Sequence, residues 1–154
     1  MLGVSAESVM VAQALATAVM TGVIWTVQVV HYPLFLRVPA EAFPEYERAH
    51  MRRIGCIVGP AMAVELACAG FIAAQPERAG VSVALAWTGL ALVGVVWILT
   101  ATVQGPLHRR LAEGKDDRLI RVLVASNWVR TVAWSARMVV VVLMLMQHGG
   151  SEAA

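Results

Sequence analysis

Apolar residues gather in four runs, at about residues 9–30, 54–74, 81–103 and 122–146, with short polar stretches between them. Each run has the roughly 20 residues that an α-helix needs to cross a bilayer. The pattern predicts an all-α chain, an integral membrane four-helix bundle with residues 1–154 as a single four-span domain. No Lys or Arg precedes the first run, and it is too long for a signal-peptide core, so it reads as a retained span. The turn Gln75-Pro76-Glu77-Arg78 is short, which makes spans two and three antiparallel neighbours. The first connection is longer and is broken by Pro33, Pro39 and Pro44. Within it Phe43, Tyr46 and His50 keep helical spacing, which predicts a short interfacial helix entering span two; another is expected around Leu107 to Leu111, before Gly114. Pro60 is expected to loosen or kink span two. No internal repeat is evident.

The polar exceptions to this pattern are the informative positions. Glu65, Arg130 and Arg137 lie inside the apolar runs, with Gln28, Gln104 and Asn127. A charge at membrane depth costs about 2.5–3.5 kcal/mol on insertion scales, so each needs a partner, a wet cavity or a ligand. On span one Thr21, Trp25, Gln28 and Tyr32 share a helical face; on span two, His50, Arg53, Ala61 and Glu65. On span three the set is Trp97, Thr100, Gln104 and His108, and on span four Asn127, Arg130, Trp134 and Arg137. Four polar faces can thus converge on one site. Glu65 and Arg137 fall at similar depth and can pair, as a structural or a functional ion pair. Arg130 then lacks an acidic partner; it either meets an anionic ligand group or snorkels to the headgroups. Gln28, Thr100 and Asn127 are equally usable as interhelical glue.

Charge sets the orientation. Nine of the twelve basic residues lie in the first and third loops: Arg37, Arg48, Arg52 and Arg53, then Arg109, Arg110, Lys115, Arg118 and Arg121. The positive-inside rule places those loops in the cytoplasm and both termini outside, in a multi-pass protein of the bacterial inner (cytoplasmic) membrane. Only 14% of residues are charged, against about 25% in soluble domains. That leaves no room for a soluble catalytic domain. The net charge of +2 gives no argument for a nucleic-acid partner. Cys56 and Cys68 lie twelve residues apart on one helix, roughly 18 Å at 1.5 Å per residue, which excludes a disulfide. Gly55 and Gly59 form a GxxxG pair, usable inside the bundle or between copies in a homo-oligomer.

His31, His50 and His108 end three spans on the cytoplasmic side. Three converging imidazoles suit zinc, copper or iron, and one suffices to ligate haem; alternatively they are only hydrogen-bonded at the interface. Tyr32 and Tyr46 near the same boundary suit acid–base or radical roles, or simple anchoring. The candidate catalytic residues are therefore His31, Tyr32, His50 and His108, with the three histidines as the metal or haem ligands. The candidate binding residues are Gln28, Glu65, Trp97, Gln104, Asn127, Arg130, Trp134 and Arg137.

The segments His31-Tyr32-Pro33-Leu34-Phe35, Tyr46 to Arg53, Pro60 to Glu65, Gln104-Gly105-Pro106-Leu107-His108 and Asn127-Trp128-Val129-Arg130-Thr131 resemble a family of small four-span bacterial membrane proteins. That likeness covers nearly the whole chain and implies no activity. More distantly, Gln104, Pro106, Leu107 and His108 with Asn127 and Arg130 resemble the anthrone-oxygenase-like membrane family, whose usual Asn stands where this chain has His108. A weaker likeness ties His31 and Arg52-Arg53 with Pro60 to haem-binding membrane protoporphyrinogen oxidases. Both likenesses imply oxidation of a flat, lipophilic molecule. The expected function is a membrane-embedded oxidoreductase or oxygenase-like protein acting on a lipophilic or anionic small molecule. The alternatives are a non-catalytic lipid- or cofactor-binding or complex-accessory protein, and a small transporter.

Overall fold

The computed structural model describes residues 5–152, which among themselves form helices and turns and no strand. Four helical rods are long and apolar enough to cross a membrane: α1 (Ala6–Arg37), α2 (Phe43–Ala74), α3 (Val83–Leu111) and α4 (Asp117–Gly150). The chain is a multi-pass membrane protein built as a four-helix bundle. The rods exceed the apolar runs because the amphipathic pieces expected in the loops are continuous with the spans. Phe43 to His50 is the first part of α2, and Gly105–Leu111 completes α3. Pro44 sits in the first turn of α2, where its missing N–H leaves no bond unmade, so it starts the helix rather than breaking the chain. α2 continues through Pro60.

Helix starts have local causes. Ser5 Oγ accepts from Ser8 N–H at 3.1 Å, Ser82 Oγ from Leu85 N–H at 3.4 Å, and Asp116 Oδ1 from Arg118 and Leu119 N–H at 2.8 and 3.1 Å. Gly80 takes a positive φ of 64° in the turn between α2 and α3, a conformation that costs a glycine nothing. The two basic loops are laced together. Lys115 donates to the carbonyls of Leu36 and Val38 at 3.0 and 2.8 Å, and Arg48 to that of Ala112 at 2.9 Å. These bonds satisfy carbonyls left open where α1 and α3 end.

Two of the rods share a device. α1 is interrupted by a π turn at Val27–His31 and α3 by one at Thr100–Gln104. In each case a proline is the second residue after the turn, as Pro33 and Pro106. Proline cannot donate to the carbonyl four residues back and its ring crowds that carbonyl. The backbone instead closes wider bonds, Tyr32 N–H to Val27 O and Gly105 N–H to Thr100 O. A π turn inserts one residue, which rotates everything beyond it by about 100°. The buried series of α3 runs through Ala86, Gly89, Val93 and Val96 and ends, beyond the π turn, on Gln104. In α1 the residue that follows the turn, Tyr32, is likewise buried.

Along the bundle, apolar and polar layers alternate. Val9, Met10, Ile72 and Met144 pack near one end. Met20, Ile24, Met62, Val96 and Trp134 pack in the middle. Phe35, Phe43, Leu111, Ile120 and Leu123 pack near the basic loops. Buried polar groups fill the two gaps.

Candidate functional site

The first polar layer is closed. Glu65 and Arg137 pair at 3.0 Å through Nε and Oε1, and both are fully buried. Glu65 Oε1 also accepts from Thr17 Oγ1 at 2.8 Å, and Oε2 from Trp134 Nε1 at 3.0 Å. Arg137 Nη1 donates to the Gly89 carbonyl at 2.8 Å and Nη2 to Gln13 Oε1 at 3.2 Å. Gly89 is needed there, because a Cβ at that position would lie 2.8 Å from Met144 Cε and 3.3 Å from Arg137 Nη1. With the buried side-chain atoms of Glu65 and Arg137 all partnered, this network joins α1, α2, α3 and α4.

The second layer is open. Gln28 donates to the Val124 carbonyl at 3.1 Å and accepts from Asn127 Nδ2 at 2.8 Å. Asn127 Oδ1 accepts from Arg130 Nη1 at 2.9 Å. The Arg130 guanidinium lies 5.0 Å over the Trp134 ring and interacts with the Tyr32 hydroxyl. Among the described residues no carboxylate lies within ion-pair distance of it. Its Nε is buried without a hydrogen-bond partner, and so is Gln104 Oε1, whose amide nitrogen donates to Ser126 Oγ at 3.1 Å. Buried polar atoms left open in this way are uncommon in folded proteins. Arg130 and Gln104 both line a cavity of about 240 Å³, together with Tyr32, His50, Thr100 and His108.

Beside the cavity runs a hydrogen-bonded series. Glu47 Oε1 meets His108 Nδ1, and His108 Nε2 meets the Tyr32 hydroxyl at 2.8 Å. Glu47 is fully buried and its Oε2 has no partner. His50 stacks near His108 with ring centroids 5.5 Å apart, and its Nδ1 meets His31 Nε2 at 2.9 Å. Glu47 and His50 come from the first turns of α2, His108 from the end of α3, His31 from the last position of the π turn of α1 and Tyr32 from just beyond it.

The three histidines expected to converge do so, with Tyr32 among them. Among the described residues no group of three His, Cys, Asp or Glu is arranged to hold a metal ion. The reason is local: His31 and His50 spend a nitrogen on each other, and both His108 nitrogens are taken. The expected metal or haem role therefore finds no support in this geometry. Gln28, Gln104, Asn127, Arg130 and Trp134 reach the open layer. Glu65 and Arg137 belong to the closed one. Trp97 reaches neither and faces outward, 38% exposed. Counting back from Gln104 to Trp97 crosses the π turn, so the two do not share a face. Arg53 is likewise exposed and off the Glu65 side. No atom lies within 4 Å of an added Cβ at Gly55 or Gly59, and Gly55 lines the inner cavity. Glu47, buried and bonded to His108, is the residue of this layer that sequence reasoning missed. Its spacing from His50 was the available signal, masked by the flanking Glu45 and Arg48.

Comparison with known proteins gives no relative: no family model, curated protein or solved structure matches this chain.

Proposed function

We propose that this protein binds a lipophilic, ionisable small molecule in the open polar layer and moves a proton to or from it, as the deprotonating step of an oxygenase-like reaction. The observation behind this reading is the buried series Glu47–His108–Tyr32 ending on a cavity that also presents Arg130. With His108 Nδ1–H donated to the Glu47 carboxylate, Nε2 is the acceptor for the Tyr32 O–H. Glu47 then orients the imidazole and balances its charge when it takes the tyrosine proton, the logic of a nucleophile–base–carboxylate triad. The Tyr32 oxygen removes an acidic C–H or O–H proton from the substrate. Arg130, with an open Nε–H, binds the anion that forms. An electron-rich anion of this kind is what dioxygen can oxidise.

The setting is a bacterial inner membrane with the open layer near the cytoplasmic face. The basic loops one and three lie at one end of the bundle, tied by the Arg48 and Lys115 bonds, and the positive-inside rule assigns that end to the cytoplasm.

Anthrone is a suitable probe, and its oxidation balances as anthrone plus O2 giving anthraquinone plus water. Reconstituted wild-type protein should consume dioxygen and anthrone one to one. Tyr32→Phe should lower the rate by about 10²–10⁴-fold, the usual contribution of a positioned acid–base group. Wild-type turnover no faster than protein-free vesicles rejects the oxygenase reading. Binding without turnover selects a lipid- or cofactor-binding protein instead.

A further inference from the structure

A second cavity, of about 710 Å³, lies between α1 and α2. It is an open groove within the apolar part of the chain. Its floor is made by small or slender side chains, among them Ala18, Gly22 and Thr26 of α1 and Ala49 of α2. From Ala18 to Val30 it follows twelve residues of α1, about 18 Å at 1.5 Å per residue. That is more than half of the roughly 30 Å hydrocarbon layer. The lining changes character at one end only, where His31, Tyr46 and Arg53 stand. The polar end is also where the groove meets the inner cavity. Val23, Val27, His50 and Ile54 line both, so a single layer of side chains separates them.

We infer that this groove is the tail site for the substrate of the inner cavity. Its occupant is a lipid with one apolar chain and a compact ionisable head. The inference rests on the acid–base reading of the open layer and adds the substrate class and its route. Three features select this occupant. The groove is too long and too apolar for a free polar metabolite. One alkyl or prenyl chain fits along the row of small residues, whereas α1 and α2 close on each other below Ala18 through the Thr17–Glu65 bond. Arg53 supplies a positive charge at the polar end, matched to an anionic or phenolic head arriving from the headgroup region. The inner cavity, at about 240 Å³, is below the 300–1,000 Å³ usual for drug-sized ligands, so it takes the head while the chain stays outside. His50, bonded to His31 on the groove side and stacked near His108 on the inner side, is the side chain the head must pass.

The test compares two probes in protein-loaded and protein-free phosphatidylcholine nanodiscs: 4-nitrophenol and 4-nitrophenol bearing a dodecyl chain on the ring. The readout is the ratio of their affinities after correction for partitioning into the lipid. The ratio should favour the tailed probe in the wild type and fall at least tenfold in Gly22→Leu. A leucine there fills the groove without a clash in the fold, since nothing lies within 4 Å of an added Cβ. Ala18→Leu should act in the same direction. Val95→Leu, on an exposed part of α3, should leave the ratio at the wild-type value. A ratio unchanged in both Gly22→Leu and Ala18→Leu, or no preference for the tailed probe in the wild type, overturns the groove. Arg130→Gln serves the other question. It should weaken both probes, and failure to weaken either contradicts the inner-cavity reading while the groove comparison stands on its own.

Discussion

Two buried carboxylates, Glu65 and Glu47, differ in how completely they are bonded. Both Glu65 oxygens are occupied, by Thr17, Arg137 and Trp134. Glu47 uses one oxygen on His108 and leaves the other open. Glu65 was legible in the sequence because a lone acid in an apolar run has few ways to exist, and Arg137 at matching depth was the evident partner. Glu47 was not legible, because its burial comes from packing of the α1–α2 connection, with Phe35 and Phe43 fully buried nearby. Removing Glu65 or Arg137 alone, as Glu65→Ala or Arg137→Ala, should cost about 3–5 kcal/mol by stranding a buried charge. Removing both should cost less than the sum. A double-mutant cycle of detergent unfolding measures this, and additive losses would show that the pair is not coupled. Gly89→Val should destabilise by about 1–3 kcal/mol through overpacking against Arg137 and Met144. An unchanged melting curve would mean that the close approach at Gly89 is not maintained.

At the scale of elements, the π turns decide which side chains reach the site. The four spans were legible from hydropathy because length and apolarity suffice to predict them. Their rotational phase was not, since a face counted at 3.6 residues per turn fails across an inserted residue. That is why Trp97 and Gln104 were assigned one face and occupy two. Pro33, read as a break in the chain, instead lies inside a continuous rod, as Pro106 does, and the π turn before it brings Tyr32 inward. Pro33→Ala restores the donor that a regular α-helix needs at this point. It should return the buried phase from Tyr32 to His31. A cysteine at position 32 should then react with a lipid-soluble maleimide in the Pro33→Ala background and be protected with Pro33 in place. Equal labelling in both backgrounds would separate the π turn from its proline.

At the scale of the whole molecule, the open polar groups lie toward one end of the bundle. The basic loops, the histidine series, the inner cavity and the polar end of the groove all gather there. The other end is apolar packing around Met10, Ile72 and Met144. Cysteines introduced at Ser5 and Ser151 should be labelled by an impermeant reagent from the periplasmic side of intact cells. Labelling only after lysis would invert the topology and move the site to the opposite face. The claim on which the account depends is that Tyr32, His108 and Glu47 move a proton on a bound lipophilic molecule. The most direct measurement is deuterium exchange into the methylene group of anthrone without dioxygen, in vesicles containing the protein. The account expects wild-type protein to accelerate exchange over empty vesicles, and Tyr32→Phe and His108→Asn each to lose about 10²-fold or more of that acceleration. Exchange at the rate of empty vesicles, or acceleration that survives both substitutions, would contradict it.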